Sequence, residues 1–244
     1  MKLNKKKVFA LALAVCLIAT LSMGSLAWFT AEDNVKNDFF IADSDDDTAD
    51  EIFSVDVWED RNGDGVADDD VTGDDEGLSY VDVLPGDVLA KTVYVKNTGY
   101  YDQYIRVTVT VSDYSAWCTV LNKAIGTKFA LQDVVNGLNA ADLWHVEEGV
   151  INNTDDTITY TLYYQRILTG DQVNTNDNGI NTNEAVVFES VKIPDSMTQA
   201  QAVEFEQNFQ ITVKAEAVQT ENILTNKTDV HWQDAKATFE ALNP

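Results

Sequence analysis

The residues in this sequence best suited to chemistry are oxygen ligands. Asp60-Arg61-Asn62-Gly63-Asp64-Gly65-Val66-Ala67-Asp68 puts a carboxylate, an amide and a carboxylate at positions 1, 3 and 5, with glycine at position 6. That is the first half of an EF-hand-type calcium loop: a hard cation takes carboxylate and carbonyl oxygens, and the sixth position must turn sharply. The Val66 carbonyl would stand at position 7 and the Asp68 side chain at position 9. Position 12 should be a bidentate Glu but is Val71, for which Asp69 or Asp70 would substitute in a shorter loop. The spacing therefore marks Asp60, Asn62, Asp64, Val66 and Asp68 as a calcium site of the weak, extracellular kind. The competing reading is a solvated loop with accidental spacing. From Asp43 to Glu76 there are 16 acids and one base, Arg61, and like charges at that density repel. A second stretch, Asn174-Thr175-Asn176-Asp177-Asn178-Gly179, has mostly amides and reads as a turn between strands.

Catalysis finds little support. The two histidines, His145 and His231, each adjoin a tryptophan. The sequence has no His-Glu-x-x-His zinc arrangement, no Gly-x-Ser-x-Gly, no Gly-rich phosphate loop and no Cys/His cluster. Cys118 sits in the apolar run Ala116–Leu121 with no His or basic neighbour, the setting of a buried and unreactive thiol. The expectation is a protein that is not an enzyme.

The charge narrows the partners. Sixteen Lys+Arg stand against 41 Asp+Glu, a formal −25, and 45% of the residues are hydrophobic. Nucleic acid is excluded as a partner, because phosphate binding needs clustered Lys/Arg. Cations, cationic surfaces and copies of itself remain. Lys2, Lys5, Lys6 and Lys7 precede an apolar run from Val8 to Met23, and Ser25-Leu26-Ala27 offers a small-x-small cleavage site. Residues 1–27 thus read as a signal peptide cut between Ala27 and Trp28. The run is short of the roughly 20 residues of a membrane span, so the mature chain is expected to lack a transmembrane segment. Cleavage removes four lysines and no acid, leaving 12 basic against 41 acidic residues, net −29. One cysteine remains, so packing, ions or assembly must stabilise the exported chain.

The elements that would position these groups read as β. Ile105, Val107, Val109 and Val111 alternate with Tyr104, Arg106, Thr108 and Thr110, a period-2 pattern whose polar face should meet water. Phe53–Trp58, Val88–Lys96, Ile158–Tyr164, Val186–Val191 and Phe209–Ala217 repeat it. The expected class is all-β: a jelly-roll-like antiparallel β-sandwich with short peripheral helices. One helix is expected near Ala200–Gln207 and another over Thr228–Leu242, while residues 115–150 leave room for one or two short helices. The organisation is a signal peptide at 1–27, an N-terminal segment at 28–42, and a single domain at 43–244 with its acidic loop at 43–76. The 28–42 segment carries Trp28, Phe29, Phe39, Phe40 and Ile41 with no evident partner of their own. Pairing with an open sheet edge would bury them, either as the domain's own first strand or on a neighbour.

Four pieces of the sequence resemble the TasA/CalY (camelysin-like) family. They are Lys5-Lys6-Lys7 with Gly24-Ser25-Leu26-Ala27-Trp28-Phe29-Thr30; Asn37 and Phe39–Ile41 followed by Phe53–Glu59; Leu84-Pro85-Gly86-Asp87 through Val93–Gly99 to Tyr104–Val107; and Ile211–Gln219 followed by a Trp-bearing helix. The resemblance implies maturation by a dedicated signal peptidase (SipW) and secretion from a Gram-positive bacterium. It also implies self-assembly of a homopolymer into biofilm-matrix or cell-surface fibres, with the N-terminal segment of one subunit adding a strand to the next. Two insertions depart from the family pattern, 43–51 and the calcium-like loop 60–76. The alternatives are a monomeric calcium-dependent binding module or adhesin and, since the family is sometimes labelled so, a camelysin-like metallopeptidase. For the last, no residue here supplies a zinc motif.

Overall fold

The computed structural model describes residues 30–34 (backbone), 54–66, 68, 83–170, 183–198, 201, 210–220, 228 and 230–242. Among them, antiparallel strands form two sheets packed face to face, an all-β, jelly-roll-like sandwich. The front sheet has the order β1 (Thr30–Asn34), β10 (Ile211–Gln219), β4 (Gln103–Val111), β8 (Thr157–Tyr164), β6 (Trp144–Val146). A further strand, β7 (Val150–Asn152), also pairs with β8. The back sheet runs β2 (Val55–Asp60), β3 (Val88–Asn97), β9 (Glu184–Lys192), β5 (Val135–Asn136).

Alternation decides which side chains fill the core. Ile105, Val107, Val109 and Val111 of β4 are fully buried, as are Ile158 and Leu162 of β8 and Ala215 and Ala217 of β10. Val55, Val57, Val93, Val95, Val187 and Phe188 face them from the back sheet. Each of the larger side chains contributes about 2 kcal/mol through removal from water, and each alanine about 0.8 kcal/mol. Two buried rings add hydrogen bonds: Trp144 Nε1 donates to the Val186 carbonyl at 2.7 Å and joins the two sheets, and Tyr160 Oη donates to the Phe129 carbonyl at 2.7 Å and joins β8 to the segment before β5.

Residues 112–143 add side chains to the core. Helix α1 (Tyr114–Val120) starts where Asp156, at φ 51°, accepts the Tyr114 N–H on its carbonyl and the Ser115 N–H and hydroxyl on Oδ1. A single 3₁₀ turn follows at Leu131–Asp133. Trp117, Cys118, Phe129 and Leu131 project into the core, and the Cys118 thiol is buried. Residues 115–150, where one or two short helices were expected, hold α1 and the 3₁₀ turn and also β5, β6 and the start of β7. These strands have two or three residues each, too few to display a period.

Helix α2 (His231–Leu242) lies on the outside of the front sheet. Beneath it a second small core gathers Tyr104, Tyr163, Val218, Ala235 and Phe239. Asp234, 2% exposed, accepts the Thr228 N–H and hydroxyl and ties the approaching chain to the first turn. The polar face of β4 is therefore not simply solvated: Tyr104 is buried, and Arg106 lies under the helix, its guanidinium 4.3 Å from the centre of the Phe239 ring. No helix among the described residues is long and apolar enough to cross a membrane. The expected helix near Ala200–Gln207 and the turn at Asn174–Gly179 lie outside the described residues, apart from Gln201.

Candidate functional site

The acidic motif begins inside a strand and ends in a tight loop. Asp60 is the last residue of β2, held opposite Thr92 of β3, so the sheet fixes the first candidate ligand. The chain then turns back on itself, with Gly63 and Gly65 both at φ +77°, a conformation that L side chains rarely adopt. Asp60 Oδ1 accepts the N–H groups of Asn62 (2.9 Å) and Gly63 (2.6 Å), and Oδ2 accepts that of Gly65 (2.9 Å). The pattern repeats one step on. Asn62 Oδ1 accepts the Asp64 N–H at 2.8 Å, and Asp64 Oδ1 accepts the Val66 N–H at 2.9 Å. Asp68 closes the loop: its Oδ2 accepts the Arg61 N–H at 2.6 Å, and its own N–H donates to the Glu59 carbonyl at 2.9 Å.

The structure thus brings Asp60, Asn62, Asp64 and Asp68 into one turn, with Val66 exposed beside them. Asp60 is 1% exposed. Burial pushes its carboxyl up, but the N–H groups of Gly65, Gly63, Asn62 and Asp64 outweigh that and hold it below the usual carboxylate range. Asp60 is therefore held as an anion whose two oxygens both accept backbone N–H groups of the loop. Among the described residues no group of three or more His, Cys, Asp or Glu side chains is arranged to hold a metal ion. Asp69, Asp70 and Val71 lie outside the described residues.

The acidic run is not uniformly solvated. Glu59 and Asp60 are both buried. Glu59 meets Lys91 at 2.5 Å, each side chain 8% exposed, in an ion pair joining β2 to β3. Nothing local in the run signals this, because the cation comes from another strand.

The second candidate is the N-terminal edge. Strand β1 pairs antiparallel with β10, from Thr30 opposite Val218 to Asn34 opposite Lys214. It is the outermost strand of the front sheet among the described residues. The signal-cleavage pair Ala27 and Trp28, and the apolar residues Phe29, Phe39, Phe40 and Ile41, lie outside the described residues.

Two further groups are not evident from the sequence. Trp58 and Tyr94 stack on the outer face of the back sheet, with centroids 4.0 Å apart and planes 7° apart. Their outward positions follow from strand alternation, but the cross-strand register that pairs them does not. His145 of β6 stacks on Trp232 of α2 at 3.6 Å and 9°, which makes it a packing residue. Burial lowers its pKa and Lys236 adds to that, against an opposing pull from Glu147.

No protein-family model, curated protein or solved structure matches this chain.

Proposed function

We propose that this chain is a secreted structural protein, a subunit of extracellular biofilm-matrix or cell-surface fibres assembled by β-strand addition. The edge position of β1 carries the reading. Among the described residues, β1 pairs with β10 alone, across five residue pairs, and it lies inside the 28–42 segment that the sequence marks as a strand donor. Residues 35–54 connect it to β2. Twenty residues reach at most about 72 Å when extended, enough to seat the strand on a neighbour as well as on its own sheet. Main-chain pairing has little regard for which chain supplies the strand. The family resemblance of the signal region and central strands supports the same reading.

Assembly must overcome the charge of −29 on each mature subunit, and a divalent cation held at the 60–68 loop would lower that repulsion. The ligand types and spacing of the same loop in the sequence support the second reading, a monomeric calcium-dependent surface module. Both are tested with protein lacking residues 28–42, compared with the intact mature chain by negative-stain microscopy and sedimentation. The expected outcome is a folded monomer that forms no fibres; unchanged fibres would refute strand donation. Calorimetric titration with calcium addresses the loop separately, and absence of heat would remove the cation from the account.

A further inference from the structure

Helix α2 packs on β4, β8 and β10 of the front sheet, and no described helix covers the back sheet in a comparable way. The outer face of the back sheet nevertheless presents apolar surface. Its register sets Trp58 opposite Tyr94 and Tyr94 opposite Val186, all three half-buried. The adjoining row is Asp56, Lys96 and Glu184. Carboxylates of Asp60, Glu184 and Glu189 also act on the Tyr94 phenol, which burial first and then these charges push up. Asp56, Glu184 and Glu189 thus stand as acids beside a parallel aromatic pair, against the single Lys96, while Asp60 adds its charge from within the loop turn.

We propose that this face docks a lysine- or arginine-rich segment of a partner polypeptide. Ammonium and guanidinium groups are drawn to ring faces, and their aliphatic stems cover apolar surface while the charged heads reach carboxylates. The same carboxylates repel an anionic partner, and a second copy of this chain, at −25 overall, is one. Charge complementarity therefore selects a basic occupant, and this holds whether or not the chain forms fibres.

The test titrates the full chain with an octalysine peptide at about 150 mM NaCl, where distant surface charges are largely screened, following tryptophan emission. Binding should quench emission. Trp58→Leu, followed by calorimetry because it removes the reporting ring, should weaken binding roughly tenfold, the scale of a single cation–π interaction, and Glu184→Gln with Glu189→Gln should weaken it similarly without touching the aromatic pair. Neutralising Asp45, Asp46 and Asp47 in the acidic run should change little. A weakening confined to that last variant would overturn the proposal, as would absence of any quench. A glucosamine oligomer binding at Trp58 where octalysine does not would also overturn it, as would a dimer that Trp58→Leu dissolves, which would assign the face to a second copy.

Discussion

The front sheet covers Tyr104 and Arg106 of β4 and Tyr163 of β8 with α2, whereas the back sheet leaves Trp58 and Tyr94 half-exposed. Under and along the helix the charges are matched. Arg106 meets Glu216 at 2.6 Å, and Lys236 pairs with Glu147 and with Glu240. On the outer face of the back sheet the acids around the aromatic pair outnumber Lys96. Paired charge over a small core is what stability requires, while unbalanced charge around half-exposed rings is what recognition uses. The two faces therefore separate holding the fold from meeting partners.

Truncating each face tests that separation. Phe239→Ala removes the centre of the second core and the ring beneath Arg106, and should cost about 3 kcal/mol in urea unfolding. Trp58→Ala should cost about 1 kcal/mol, the scale of a half-exposed aromatic pair. Equal losses would break the comparison. A smaller effect sharpens it through pH. Because His145 has a folded pKa lowered from 6.5, the unfolded chain binds its proton first. Its contribution is fully present above that value and is lost as pH falls through the lowered one. The melting temperature should therefore drop on acidification from about pH 7 to 5.5, and His145→Gln should flatten that slope. An unchanged slope would show that the His145–Trp232 stack does not report on α2.

The legible parts of this fold were those with a local repeat. Ile105, Val107, Val109 and Val111 reveal β4 because one buried face needs alternate apolar residues, and the amphipathic spacing of Trp232, Ala235, Phe239 and Leu242 reveals α2. Illegible parts depend on groups distant in sequence. Tyr104 and Arg106 looked like a solvated face because the helix that covers them follows more than a hundred residues later. Glu59 looked like one more surface acid because Lys91 stands on the next strand. In the 60–68 loop the ligand types and the glycines were readable, while the three backbone N–H groups that Asp60 accepts required the turn itself.

Strand addition is tested most directly by a covalent trap in the observed register, where Ala31 is opposite Ala217. Cysteines at such facing positions are within disulfide reach, and native Cys118 is buried away from them. Two single variants, Ala31→Cys and Ala217→Cys, would be mixed, allowed to assemble and oxidised, then separated on a denaturing gel. Donation of β1 to a neighbouring subunit predicts cross-linked dimers that form only in the mixture. Fibres that yield monomers alone, with the Ala31→Cys/Ala217→Cys double variant closing its bond within one chain, would contradict it.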